Sequence, residues 1–460
     1  MTPVSHSKDM RNMTTGSPAG HILAFALPLL AGSFLQQMYN MVDSWVVGNF
    51  VGSAALAAVG MAFPVMFLFM SVFLGVSSGA TVVIAQFFGG GRMDKVRETV
   101  DTIYTAFVTA ALPLTILAML MVEPIMTYMQ VDPAARADTR LYLLIICAGL
   151  TGNIGYNITA GILNGLGNSK STLIFLATAA VTNTVLDLVF VLWLGIGVMG
   201  VALATIIAQA LSWLCSLVYI NSRYPEIAIR PFCFRFDREI FGRVMKIGIP
   251  AGIQMAMVSL GSMTVMGKAN SFGSAFMGGY NVGNKIDAVA FLFIQSVCNA
   301  VTAFVGQNIG ARKPERVRQG IRAAVAISVA WCLVTMSVIL PLRETLVSLF
   351  NSEPEVIYAG SSYLNSIMRG YALFALLFTM NGAFRGAGNS VYPMLVTTVS
   401  MIVLRVPCVY WMADHYGAGA MFYGFWPGWI VGDLMCLGYY FSPWWKRRVG
   451  LLPKKAEETR

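Results

Sequence analysis

Apolar residues run through this chain in long unbroken blocks. They do not alternate as in a half-buried strand, nor keep to one stripe as in a soluble helix. Blocks of about twenty such residues have the length to cross a hydrocarbon core as α-helices. Twelve are predicted, near 22–48, 54–78, 102–124, 140–163, 172–194, 198–220, 247–268, 284–306, 323–343, 361–384, 391–413 and 419–441. The expected fold class is an all-α polytopic membrane protein. A soluble helical array is excluded, because with only 11% charged residues twelve such helices would find too little polar surface to face water.

The blocks fall into two sets of six, and the second set repeats the first at an offset of 221 residues. Gln86 and Gly89 recur as Gln307 and Gly310, and Val96-Arg97 recurs as Val317-Arg318. Pro133 recurs as Pro354, and Tyr142-Leu143 as Tyr363-Leu364. Gly161, Gly165, Gly167, Asn168 and Ser169 recur as Gly382, Gly386, Gly388, Asn389 and Ser390. An even-numbered repeat keeps its orientation in the bilayer. A 6+6 arrangement with a pseudo-twofold axis along the membrane normal is therefore expected, as in many secondary transporters. The predicted division is an N-terminal lobe over 1–220, a linker over 221–246 and a C-terminal lobe over 247–460. The linker carries six basic residues and Phe232, Phe234 and Phe236, and a short surface helix is expected from Asp237 to Lys246.

Charge sets the orientation. Of 31 Lys and Arg, 24 fall on one side when the N-terminus, the even-to-odd loops, the linker and the C-terminus are grouped together; the other side has Arg136, Arg140 and Arg343. By the positive-inside rule both termini are expected in the cytoplasm. The net charge of +10 then reflects loops facing anionic lipid, and nucleic acid is not an expected partner. A bacterial cytoplasmic (inner) membrane is the expected location. The first 20 residues are polar and show no removable signal peptide. The seven cysteines form no CxxC pair and read as packed thiols. No cofactor is expected.

Ionisable residues inside a span are costly, about 2.5–3.5 kcal/mol on insertion scales, and so mark function. The first span carries Gln36, Tyr39, Asn40 and Asp43 on one helical face. The fourth carries Asn153 and Asn157, the fifth Asn183 and Asp187, and the sixth Thr205 and Gln209, each pair one turn apart. At the 221-residue offset Asp43 becomes Thr264, Asn183 becomes Leu404, Asp187 becomes Cys408 and Thr205 becomes Trp426. This asymmetry favours a specialised site in the N-terminal lobe over a framework shared by both copies. Two carboxylates close together in a low dielectric should not both stay ionised without a cation. The same oxygens, with Asn and Thr, also suit Na⁺. In the second copy Lys285, Asp287, Arg369, Arg405 and Asp433 lie in or near spans. Lys285 and Arg369 are expected to snorkel. Arg405 is expected to pair with an acid such as Asp433, with a gating or anionic-substrate role as the other reading.

Two loops recur in both copies at helix ends, Gln86–Arg97 with Gln307–Arg318 and Gly161–Ser169 with Gly382–Ser390. Together with Gly52–Gly60 after the first span, they resemble the multidrug and toxic compound extrusion (MATE) family over about Ile22 to Trp445. The resemblance implies an exporter of cationic or amphipathic drugs, dyes and toxins by alternating access, exchanging them for H⁺ or Na⁺. One subgroup of that family binds its coupling cation among helix-one Asp, helix-five Asn and Asp, and helix-six Thr. These match Asp43, Asn183, Asp187 and Thr205 here, the residues that would also hold Na⁺. Gln36, Tyr39, Asn40, Asn153, Asn157 and Gln209 are expected to line the substrate cavity. Other members carry a carboxylate-rich site in the C-terminal lobe; Gln254 and Met257 stand where one is sought here, so none is expected. The expected partners are small-molecule substrates, the coupling ion and lipid, with the chain a monomer. A lipid-linked precursor flippase is the alternative, and would call for a strongly cationic cavity. A membrane-embedded enzyme would need a catalytic constellation, which is not apparent.

Overall fold

The computed structural model describes residues 10–128, 133–230 and 234–453; the side chains of 53–69, 72, 128 and 133–135 lie outside the description. The described residues are mostly helical and include no strand. The helices are α1 (Pro18–Val46), α2 (Ser53–Gly89), α3 (Met93–Tyr128), α4 (Pro133–Ala148), α5 (Leu150–Gly165), α6 (Ser169–Leu188), α7 (Gly197–Arg223) and α8 (Arg238–Asn270). They continue as α9 (Ser274–Gly310), α10 (Pro314–Ser348), α11 (Pro354–Gly386), α12 (Val391–Thr398), α13 (Arg405–Tyr416), α14 (Phe425–Phe441) and α15 (Pro443–Val449).

Among the described residues nine helical spans are long and apolar enough to cross a membrane, or ten if α4 and α5, bent by 47°, form one. They coincide with ten of the expected spans. The span expected near 54–78 lies in α2, largely among the side chains outside the description. The one near 419–441 starts in a 3₁₀ turn, Ala418–Gly424, and continues in α14, whose 17 residues fall short of the roughly 20 of a usual crossing. Leu112, Leu120, Val181 and Val218 each leave 66–69% of their surface uncovered. Apolar exposure on that scale is stable only against hydrocarbon, so the chain is an integral membrane protein. Asp237 to Lys246 does not form a separate surface helix. Asp237 caps the amides of Glu239 and Ile240, and α8 runs unbroken from Arg238.

The repeat persists at the level of single bonds. Thr81 Oγ1 donates to Gly161 O at 2.9 Å, and Thr302 Oγ1 donates to Gly382 O at 2.9 Å. A Cβ on Gly161 would stand 2.8 Å from Ser77 O, and one on Gly382 2.6 Å from Cys298 O. Glycine is what lets these helices approach backbone to backbone. One feature breaks the repeat. Between Pro28 and Gly52 the first copy has one residue more than the second has between Pro250 and Gly273. A π-turn at Val47–Val51 takes up the extra residue, and α8 has no such turn.

The chain divides into two compact units. Among the described residues, one holds 10–11 and those of Pro28–Ile249; the other holds Asn12–Leu27 and 250–453. The changes of unit inside α1 and α8 thus fall at Pro28 and Pro250, where the missing N–H interrupts the helical ladder. Within the second unit the segment before α1 is gripped by its backbone. Met13 N donates to Gln307 Oε1 at 2.9 Å, Lys313 Nζ reaches Thr14 O at 2.9 Å, and Arg316 donates to Met13 O at 3.0 Å and Gly16 O at 2.9 Å. In the first unit the segment before α8 is held by Thr105 Oγ1 on Arg235 O at 3.0 Å and by the Asp237 amide on Thr102 Oγ1 at 3.1 Å.

Candidate ion-coupling site

Asp43 comes from the later part of α1, Asn183 and Asp187 from successive turns of α6. The Asn183 amide bridges the two carboxylates: its Nδ2 donates to Asp43 Oδ1 at 2.6 Å and to Asp187 Oδ2 at 2.8 Å. Asp187 is 0% exposed, Asn183 2% and Asp43 9%. Asp187 Oδ1 and Asn183 Oδ1 are buried without a partner. The cluster therefore offers two open acceptor oxygens and no positive charge to balance two acids. A proton or a small hard cation satisfies that donor set, and a neutral ligand does not.

A π-turn follows each carboxylate, Val47–Val51 after Asp43 and Val189–Trp193 after Asp187. Such turns leave helical hydrogen bonds weakened and recur at functional sites. Val46, Val47, Val191, Val198 and Val201 form an apolar cluster at these turns, with Val42, Val51 and Tyr142 packed on it.

The other sequence-predicted residues fare differently. Thr205, one turn beyond Val201 on α7, back-bonds to Val201 O at 3.0 Å, and no hydrogen bond joins it to the carboxylates. Gln209, buried, lies beside the Tyr39 hydroxyl, as does Gln36. The Gln209 carbonyl has no partner. Asn40 gives its backbone carbonyl to Ser44. Asn157 Nδ2 donates to Asn153 Oδ1 at 2.8 Å and to Asn153 O at 2.9 Å, and both residues are half-buried. A cavity of about 400 Å³ in this unit, lined by residues including Phe107, Leu112, Thr151 and Trp213, includes none of these residues.

Tyr142 was not singled out for the site by sequence. Asp43 and Asp187 are its electrostatic neighbours. Its recurrence as Tyr363 was the available signal. No cluster of three or more His, Cys, Asp or Glu able to hold a metal occurs among the described residues.

The second unit carries other side chains at the corresponding places. Gln254 Nε2 donates to Thr397 Oγ1 at 2.8 Å. With the extra residue of the first copy lodged at Val47–Val51, helical phase counted from the prolines places Val265, rather than Thr264, opposite Asp43. The second copy has its own π-turn, Val399–Leu404, upstream of the first copy's, so Arg405 takes the phase of Asn183. The expected Arg405–Asp433 ion pair does not form: both Asp433 oxygens lack partners, and the guanidinium lies 3.7 Å over the Phe425 ring.

Comparison with known proteins agrees with this architecture. The chain is 26% identical to the probable multidrug resistance protein YpnP of Bacillus subtilis, over 95% of this chain and 97% of that one. It is 22% identical to a protein of Shewanella oneidensis named FAD transporter, over 86% and 89%. Among solved structures, that of a MATE protein in complex with MaD3S superposes with a TM-score of 0.87 at 22% identity, covering 97% of this chain and 99% of the other. The MatE family profile matches residues 28–189 and again 250–411, one match on each copy of the repeat. The chain belongs to the MatE family, a family of transporters and not of enzymes.

Proposed function

We propose that the chain is a cation-coupled antiporter that exports cationic or amphipathic small molecules by alternating access. The observation that carries this reading is the Asn183 amide held between Asp43 and Asp187. Two buried acids sharing one neutral donor need a proton or Na⁺ to be stable, and both ions can be released when the site opens to water. Binding drives a transition only if the ion prefers one conformation over another. The π-turns beside both acids give α1 and α6 places where the helical ladder can rearrange. Tyr39, Gln36, Asn40 and Gln209 offer hydrogen bonds to the solute, and Thr205 gives the ion a further oxygen when its hydroxyl leaves Val201 O.

In this reading twelve spans form two six-helix lobes related about the membrane normal and joined by 221–246. Both termini face the cytoplasm, the membrane is the bacterial inner membrane, and the chain acts as a monomer. The basic loops and the bond-level repeat support it.

The test is efflux of a cationic dye from liposomes containing the purified protein, with ΔpH and ΔNa⁺ imposed separately. One gradient or both should drive export in the wild type and neither in Asp43→Asn. Gradient-driven export by correctly inserted Asp43→Asn protein would sink the assignment.

A further inference from the structure

The second unit contains a cavity of about 210 Å³ whose polar groups are left open. Asp287, on α9, accepts from Tyr363 Oη at 3.0 Å through Oδ2, while its Oδ1 is buried without a partner. Arg405, 8% exposed, stacks on Phe425; its Nη1 reaches the Met401 sulfur at 3.5 Å, and its Nε has no partner. The Tyr371 hydroxyl lies beside the Asp287 carboxylate without a well-formed hydrogen bond to it, and the Trp429 indole N–H is buried and unpartnered. All seven of these residues line the cavity. No ion pair within 4.0 Å joins Asp287 to Arg405 among the described residues.

A buried acid and a buried base on one cavity ordinarily pair, since leaving either alone costs several kcal/mol. Here each keeps an open valence facing shared space worth about seven water molecules at ~30 Å³ each. The open groups are one acceptor, Asp287 Oδ1, and donors from Arg405 and Trp429. A cation alone would leave the donors unmet, and an anion alone would leave the carboxylate unmet. The π-turn Val399–Leu404 immediately precedes Arg405, and the other two π-turns among the described residues follow Asp43 and Asp187.

The geometry points to a binding site in the second unit for a small zwitterion. Its ammonium lies on Asp287, beside Tyr371 and the surrounding aromatic rings, and its carboxylate lies on Arg405 with Trp429. Aromatic faces add attraction for the ammonium, and the guanidinium suits a carboxylate. This site is separate from the acids of the first unit and does not rest on their role.

Equilibrium dialysis of the purified, detergent-solubilised protein tests it, with radiolabelled glycine betaine and L-phenylalanine as zwitterions, choline as the cation and acetate as the anion. No gradient is applied, so failure of ion-coupled export leaves the measurement intact. At least one zwitterion should bind saturably, and choline and acetate about tenfold or more weaker, as expected for loss of one charge-assisted contact. Asp287→Asn and Arg405→Gln should each weaken zwitterion binding by a similar factor, with choline insensitive to Arg405→Gln and acetate insensitive to Asp287→Asn. Tyr371→Phe, which removes one hydroxyl, gives a milder variant if a charge substitution fails to fold, and should weaken zwitterion binding measurably. Equal binding of choline and betaine, or no binding of either zwitterion by monodisperse wild-type protein, overturns the proposal; the second result would mean that water fills the cavity.

Discussion

The Tyr363 hydroxyl donates to Asp287 at 3.0 Å inside the second unit. Its repeat counterpart, Tyr142, has Asp43 and Asp187 as electrostatic neighbours inside the first. One tyrosine position thus stands near a carboxylate in each copy, hydrogen-bonded to it only in the second, and the carboxylates lie on different helices. Asp287 is on α9, whereas Asp43 and Asp187 are on α1 and α6.

The two acids of the first unit act on one ion if the shared amide means what we infer. Asp187→Asn should abolish gradient-driven export as Asp43→Asn does, and the double variant should be little worse than either single one. Groups that work as a unit are far from additive. Transport rates in liposomes decide: losses that add in free energy would separate the two acids.

Asn183→Leu installs the residue found at the matching sequence position of the second copy. It removes the donor to both carboxylates and leaves their oxygens buried and unmet. The expected cost is about 1–3 kcal/mol for each stranded group. Thermal unfolding in detergent should show a clear fall in midpoint. A midpoint equal to the wild type would mean that the acids find other donors.

Gly382→Ala should destabilise more than Gly161→Ala. At Gly382 the nearest obstacle is a backbone carbonyl, Cys298 O, at 2.6 Å; at Gly161 it is the movable Ser77 hydroxyl, at 2.5 Å, although Ser77 O stands at 2.8 Å. Overpacking costs about 1–3 kcal/mol, and Gly382→Ala should lie toward the upper end. Monodisperse yield and melting temperature of the two variants give the order.

Arg316→Ala should release the segment before α1. It removes donors to Met13 O and Gly16 O, and charged donors are worth about 1.5–3 kcal/mol. Limited proteolysis should cut near residues 12–17 faster than in the wild type, with the rest of the chain unchanged. Equal cutting rates would show that Gln307 and Lys313 suffice.

Much of this was legible in the sequence because bilayer physics is simple. Length and apolarity located the spans, and the repeat located Gly161 and Gly382. The polar face of α1 and the i, i+4 pair on α6 found three residues that do meet. What remained hidden depends on neighbours and on phase. Thr205 shares the α7 face with Gln209, yet its hydroxyl is taken by its own helix. Asn153 and Asn157, one turn apart, are joined by a hydrogen bond that their spacing allows but does not announce. A π-turn adds one residue with no change in composition. A constant offset therefore pointed to Thr264 and Leu404 where helical phase gives Val265 and Arg405. Arg405 finds an aromatic ring in place of the expected acid.

The clasp on Met13–Gly16 has a consequence for biosynthesis. Met13 meets Gln307, 294 residues later in the chain, and Arg316, 303 residues later. At roughly 5–20 residues per second on the ribosome, the segment before α1 waits on the order of tens of seconds for its partners. The second unit cannot be completed by its own stretch of sequence. If the gene were split in the linker, the C-terminal product would lack Asn12–Leu27 and the N-terminal product would lack the stretch of α8 before Pro250. Each fragment would hold a piece that the other needs, so the two should mature only when made together.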